Sequence, residues 1–272
     1  MLLPPRGPAR VGAVLLAVLV VLAVLAPWIA PHDPEAVDPN RVLGSPTLSH
    51  LLGSDSLGRD VLSRVLLALR VSLTVALSSV LLAALVAIPL GAVAGYAGGW
   101  LDTLISRPLE MLLALPALLL AITLIAIIGP GTAVAALAIA IIYLPILARV
   151  MRGSALTVSR LGYAEGAGAR GAGHLRIIAT HVIPNAIGPV VVQMSILAGF
   201  ALQIEAALSF LGLGTQPPTP SLGLMLSDGR DVLEQAPWVE IYPGLTLAVA
   251  VLSFILLGDG LRRRLEPDGT GG

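Results

Sequence analysis

A few groups of residues in this chain have types and spacings that could carry chemistry. The segment YAEGAGARGAGHLRIIATHVIPN, from Tyr163 to Asn185, sets Gly166, Gly168 and Gly171 in the order G-x-G-x-x-G, the outline of a dinucleotide-binding turn. Such a turn follows a strand and is answered by an acidic residue about 20 positions on. Here an arginine-bearing, helix-like stretch precedes the glycines, and Pro184 and an apolar run follow them. The context rules the fingerprint out. His174 and His181 are seven apart and could share a helix face as metal ligands, but no carboxylate or cysteine nearby completes a set. They are expected to be interfacial histidines. No H-E-x-x-H or G-x-S-x-G occurs, so protease and hydrolase readings lack a nucleophile or metal motif. The chain contains no lysine, and a P-loop cannot be built without the lysine that reaches the phosphates. It contains no cysteine either, which removes thiol chemistry, disulfides and thiolate metal sites.

What remains is a set of polar groups inside apolar runs. Ionisable residues within a membrane span are functional candidates by default. Glu205 is the clearest, with Gln193, Ser195 and Gln203 in the same run. They could line a path for a translocated solute, or the two glutamines could hydrogen-bond across helices. Glu110 and Asp259 lie near the ends of their runs, within reach of headgroups or water.

The elements that position these residues follow from composition. Of 272 residues 56% are hydrophobic and 12% charged, and the mean hydropathy is +0.93. A soluble domain carries about 25% charged residues. The apolar residues come in runs near the ~20 needed to cross a bilayer as helix. The chain is therefore expected to be an all-α, polytopic membrane protein. Six spans are expected, at about 11–30, 72–95, 109–128, 132–150, 188–210 and 241–260. The first follows Arg6 and Arg10 as a signal peptide would, but it is long for one and more spans follow, so it is expected to be retained. If the N-terminus is cytoplasmic, inner segments hold Arg6, Arg10, Arg107, Arg149, Arg152, Arg160, Arg170, Arg176 and Arg262 to Arg264. The outer segments then hold only Arg41, Arg59, Arg64, Arg70 and Arg230. This asymmetry predicts N-in, C-in topology and a cytoplasmic segment 152–187. Net charge is zero and says little about partners.

Between the spans, residues 31–71 begin Pro- and Asp-rich and then suggest a short amphipathic helix with Asp60 and Arg64 paired at i,i+4. Residues 211–240 suggest a second short helix near Asp228 to Gln235. Pro89, Pro116, Pro145 and Pro243 fall within spans, as kinks that serve motion or as static bends. Gly91 and Gly95 form G-x-x-x-G, a close-packing face, although a chain this rich in Ala and Gly produces the spacing by chance.

Tyr163-Ala164-Glu165-Gly166-Ala167, then Gly171, then Val182-Ile183-Pro184-Asn185 resemble the EAA loop of ABC-importer permease subunits. Glu165, Ala167, Gly171 and Pro184 match its pattern in register. Gly166 stands for the first alanine, His181 for an isoleucine and Ile183 for a leucine. GSDSLGRDVLSR, ALPALLLAI, IGPG, EAALSFLGLGTQPPTPSLGLML and LLGDGLRRRLEP extend the likeness over nearly the whole chain. They are similar to the second, C-type permease of the dipeptide and oligopeptide importers, a branch shared with nickel and glutathione importers.

The resemblance implies a type I importer permease fold in a bacterial or archaeal inner membrane. A single permease domain would cover 1–272, with a first helix at about 11–30 and a five-helix core at about 72–260. It implies a coupling helix containing Tyr163, Glu165, Ala167, Gly168, Gly171 and Pro184, docked in a cleft on a separate ATPase. It also implies the partners: a homologous permease, two ATPase subunits that bind ATP and magnesium, an extracytoplasmic substrate-binding protein, membrane lipid and a peptide cargo. No nucleic acid, resident metal or catalytic residue is implied. Gln193, Gln203 and Glu205 are the candidate translocation path. A reading from a different class is an intramembrane enzyme whose nucleophile has no recognisable motif. The topology is testable because the native chain lacks cysteine. Single cysteines at Ala172 and Thr219 are expected to be shielded from and open to an impermeant thiol reagent, respectively, in intact cells. Labelling at position 172 from outside would overturn the N-in arrangement.

Overall fold

The computed structural model describes residues 7–161 and 172–265. Among them the chain is helical and holds no strand, only an isolated antiparallel bridge between Ser54 and Asp60. The helices are α1 (Pro8–Ile29), α2 (Val61–Ala97), α3 (Gly99–Leu113), α4 (Ala117–Ile128) and α5 (Thr132–Ser159). They continue as α6 (His174–Phe210), α7 (Leu222–Arg230) and α8 (Trp238–Leu265). Within α6, Ile178–Val182 form a π turn. This wider turn lies just before Pro184, whose ring would crowd the carbonyl four residues back and which has no N–H to donate.

Five helices are long and apolar enough to cross a membrane, and α3 with α4 adds a sixth crossing broken by a 93° bend. Contacts sort the bundle into two ends. At one, which we call the loop end, Trp238 Nε1 donates to the Ser54 carbonyl at 3.2 Å and Thr132 Oγ1 to Thr215 Oγ1 at 3.3 Å. At the opposite end Gly260 packs on Ala9, and Gly12 packs on Leu256, so α1 begins where α8 finishes. Six crossings with both helical termini at one end match the expected parity.

Three expectations are corrected. The third span is not one straight helix over 109–128. Pro116 restrains the residue before it from helical geometry and ends α3 three residues earlier, with Ala114 and Leu115 closing tight turns onto Met111 and Leu112. Secondly, the amphipathic stretch after residue 51 and the second span are one 37-residue helix, because no proline or glycine separates Val61 from Ile88. Asp60 does not pair with Arg64; it caps α2 by accepting from Ser63 N at 2.8 Å. Lastly, the short helix at the loop end begins at Leu222, capped by Ser221 Oγ accepting from Leu224 N at 3.3 Å, and ends at Arg230 rather than occupying 228–235.

The core is built chiefly on α2 against α5, the most extensive helix pair. Small side chains dominate the contact: Ala76, Ala83, Ala84 and Ala87 from α2, and Ala135, Ala138, Ala148 and Ala155 from α5 are buried. The G-x-x-x-G spacing is no accident here. A Cβ on Gly91 would sit 2.5 Å from the Ala148 carbonyl oxygen and 2.8 Å from Met151 Cβ, and one on Gly95 2.9 Å from Ala155 Cβ. Real side chains do not approach so closely, and between helices in lipid such contacts replace the missing hydrophobic drive with dispersion. Gly91→Leu is expected to lower the melting temperature of the purified protein by the equivalent of at least about 1–3 kcal/mol of overpacking. Gly153→Leu, on a part of α5 with nothing within 4 Å of its Cβ position, is the matched control and should shift it little. Equal melting of the two variants would refute the close contact.

Candidate functional site

The coupling residues Tyr163, Glu165, Ala167, Gly168 and Gly171 lie outside the described residues. Their flanks are described and are close together. α5 ends at Ser159 and α6 starts at His174 at the end of the bundle that also carries the helical termini. His174 Nδ1 meets the Tyr96 hydroxyl at 2.9 Å, which ties the start of α6 to the last turn of α2. His181 instead contacts Thr180 Oγ1 at 2.7 Å, so the two histidines share no ligand. Pro184 is exposed in the first turn after the π segment. Asn185 Nδ2 donates to the His181 carbonyl at 2.6 Å across that turn.

Beside this end, Arg152 grips Asp102 with two parallel bonds, Nε to Oδ1 at 2.5 Å and Nη2 to Oδ2 at 2.6 Å. Ser106 Oγ donates to the same carboxylate at 2.9 Å. The fork fixes α3 to α5 in one orientation, a service that a lysine in place of Arg152 could not perform. Ser106, Glu110, Arg149 and Arg152 line a cavity of about 30 Å³ between α2, α3 and α5, room for a water or two. Glu110 therefore belongs to a charged cluster at the helix ends, as its position in the sequence suggests.

The three path candidates are not brought together. On one helix at 100° per residue, Gln203 and Glu205 point in nearly opposite directions and Gln193 in a third. Gln203 is exposed in a groove against Gly244, Leu247 and Val251 of α8, and Gln193 is half-buried. Glu205 is fully buried, at 0% exposure. Ser209 Oγ donates to its Oε1 at 2.8 Å. The Ser72 and Ser221 hydroxyls also face the carboxyl, without an aligned hydrogen bond to Oε2. Each serine in turn accepts a backbone N–H: Thr215 N to Ser209 at 3.1 Å, Leu222 N to Ser72 at 3.3 Å and Leu224 N to Ser221 at 3.3 Å. With a lone pair so engaged, the Ser209 hydroxyl directs its proton to Glu205. The glutamate thus sits where α6 meets Ser72 of α2 and Ser221 at the start of α7, with Ser209 as its hydrogen-bond donor.

A second polar cluster, at the loop end, has only a faint signature in sequence. Asp55 Oδ2 takes Arg59 Nε at 2.7 Å and Arg64 Nε at 3.4 Å, with Arg59 and Arg64 both buried. Arg59 also reaches Asp228 of α7 at 3.8 Å, and Arg64 Nη1 donates to the Pro34 carbonyl at 3.2 Å. Burial raises the Asp228 carboxyl above its ordinary range, against the pull of Arg64 and Arg59. For Asp60 burial acts in the same sense, but the Ser63 hydroxyl and N–H and the His50 ring outweigh it and hold the carboxyl below its usual value. Its cap is therefore formed at neutral pH and lost only as acid takes the pH below the ordinary carboxylate range. The string G-S-D-S-L-G-R-D already placed Asp55 and Arg59 at helical spacing, but nothing in it named Asp228.

Long apolar helices crossing between two ends define a multi-pass membrane protein. Residues 87–269 match the family described as binding-protein-dependent transport system inner membrane component, and residues 8–46 match the N-terminal TM domain of oligopeptide transport permease C. The chain belongs to the binding-protein-dependent transport system inner membrane component family and has the ABC-importer permease fold. It is 39% identical to a dipeptide transport system permease protein of Alkalihalophilus pseudofirmus, over 95% of this chain and 85% of that one. It is 42% identical to a di/tripeptide transport system permease protein of Pseudomonas aeruginosa, over 94% and 86%. To a glutathione transport system permease protein of Pectobacterium atrosepticum it is 42% identical, over 92% and 83%.

The loop-end network yields a direct expectation. Asp55→Ala leaves two buried guanidiniums without their shared carboxylate, a loss of about 3–5 kcal/mol. Thermal melting and protease cleavage between residues 31 and 60 should both report it. Arg41→Ala, which removes an exposed pair with Asp38 and an exposed hydrogen bond to Ser49, should change neither beyond about 1 kcal/mol.

Proposed function

We propose that this chain is a non-catalytic permease subunit, one transmembrane domain throughout, of an ATP-driven importer of di- and oligopeptides. It pairs with a homologous permease, two ATPase subunits and an extracytoplasmic substrate-binding protein. The observation that carries this reading is the register of Glu165, Ala167, Gly171 and Pro184 in the segment joining α5 to α6, together with relatives named for dipeptide, di/tripeptide and glutathione transport. Glutathione is itself a small peptide, so these names converge on one cargo class. The loop end faces outward, and the segment between Ser159 and His174 faces the cytoplasm.

In this proposal Tyr163, Glu165, Ala167, Gly168, Gly171 and Pro184 serve coupling, not cargo binding. The small residues allow close backbone approach to the ATPase cleft, and Glu165 supplies a charged contact. ATP-driven closure of the ATPases pulls on the start of α6 and the end of α5, and the bundle alternates its open side. Gln193 and Gln203 touch cargo in passing. Scattered polarity of this kind suits a path that admits many peptides and holds none.

The test separates coupling from assembly of the membrane domain. Glu165→Ala removes a charge from an interface, a loss of about 2–5 kcal/mol if its partner is left unpaired. Even the lower figure is a roughly thirtyfold change in docking. Gly171→Trp overfills the same contact. Both variants should insert normally and abolish peptide-stimulated ATP hydrolysis by the reconstituted complex, whereas Arg41→Ala should retain it. Native transport by Gly171→Trp would overturn the assignment.

A further inference from the structure

The loop end carries a cluster that the transport reading does not use. His32 follows α1, His50 lies in the connection to α2, and Asp60 is the N-cap of α2. The structure brings these distant positions onto one carboxylate oxygen. His50 Nδ1 is 2.8 Å from Asp60 Oδ1, and His32 Nδ1 is 3.8 Å from the same atom. The two rings are stacked, with centroids 4.3 Å apart and planes 17° from parallel. Among the described residues this is the grouping of histidine and acidic side chains whose ligand atoms converge closely enough to hold a metal ion.

We propose that His32, His50 and Asp60 form a binding site for a divalent transition-metal ion of the zinc class. Three features support it. Zinc bonds to imidazole nitrogen and carboxylate oxygen run about 2.0–2.2 Å, which puts ligand atoms of a tetrahedron about 3.3 Å apart. The observed 2.8 and 3.8 Å bracket that edge. His32 Nδ1 is buried, has no hydrogen-bond partner and faces the Asp60 carboxylate oxygen. The supporting hydrogen bonds are already in place. Asp60 Oδ2 accepts from Ser63 N at 2.8 Å and Ser63 Oγ at 2.7 Å, which leaves Oδ1 for the metal. Ser63 Oγ also accepts from His32 N at 3.1 Å, so one serine orients two of the three ligands.

Stacked rings direct their lone pairs side by side, so one ring must turn for both to meet the ion. His32 is the one that turns: its side chain is 38% exposed and its ring gives up no hydrogen bond in doing so. The ion displaces the short His50–Asp60 bond and leaves a fourth position for water on the solvent side of His32. Three protein ligands with one open position make an exchangeable site. Bound metal would pin residues 32 and 50 to the start of α2.

The experiment uses the full chain, purified in detergent with a tag free of histidine, and zinc ion alone as the probe. Competition with a chromogenic chelator should give one equivalent bound per chain. His32→Gln, at a half-exposed loop position that leaves the fold intact, should weaken binding at least tenfold, since even loss of a supporting partner costs about 10–100-fold. His174→Gln should leave it unchanged. Zinc should also raise the melting temperature of the native chain and not that of His32→Gln. Absence of stoichiometric binding, or equal binding by native protein and His32→Gln, would overturn the site.

Discussion

The bundle depends on the fact that α2 and α5 touch backbone to backbone. Side-chain-free surface at Gly91 and Gly95 lets the carbonyls and Cβ atoms of Ala148, Met151 and Ala155 come within distances that a single methyl group would forbid. Lipid supplies no hydrophobic pressure between apolar helices, so density of contact must do that work. Once this pair is fixed, α3 is tied to α5 by the Asp102–Arg152 fork, α6 packs on both, α8 packs on α6, and α1 packs on α8 and α2. The alanine-rich composition that makes the chain look featureless is the physical requirement of that contact.

Polar order is concentrated at the loop end. Glu205 is hydrogen-bonded to Ser209 and faces Ser72 of α2 and Ser221 at the start of α7, and Asp55 holds Arg59, which reaches Asp228 of α7, and Arg64. Both clusters reach α7, one at its Ser221 cap and the other at Asp228. Both trade a desolvation cost for directional bonds, and such trades favour one geometry over many. At the opposite end, the described residues include the bidentate Asp102–Arg152 pair and the Tyr96–His174 contact.

Much of this was legible in the sequence. Apolar runs reported the crossings because backbone groups in lipid must be satisfied within a helix, and the EAA-like register pointed to the family that residues 87–269 then matched. Boundaries were less legible. Asp60 was expected to pair with Arg64 because i,i+4 spacing favours it, yet the cap position offered two donors from Ser63 and won. Pro116 inside an apolar run was expected as a kink, and the full break needed the neighbouring helices to accept a 93° turn. Glu205 lies buried in a candidate span, as its place in an apolar run indicates, but its serine neighbours come from α2, α6 and the residue before α7. Only tertiary structure could disclose that Ser72 and Ser221 meet it. The His32–His50–Asp60 grouping was invisible for the same reason, since no spacing rule joins three positions spread over two loops and a cap.

The unbroken length of α2 has a mechanical meaning. Thirty-seven residues at about 1.5 Å rise make a rod of about 55 Å, nearly twice the hydrocarbon thickness. Its last turn holds Tyr96 beside the start of α6, and its first turn holds Ser63 and Arg64 within the loop-end clusters. A stiff rod converts angle into distance. Each degree of tilt, about a fulcrum at one end of a rod of about 55 Å, carries the other end by about 1 Å. Pro89, Gly91 and Gly95 all lie in the third of the helix nearest Tyr96, so the remainder is an uninterrupted lever arm. Small rotations near the α5–α6 connection therefore arrive at the far face of the membrane enlarged into displacements the size of an atom.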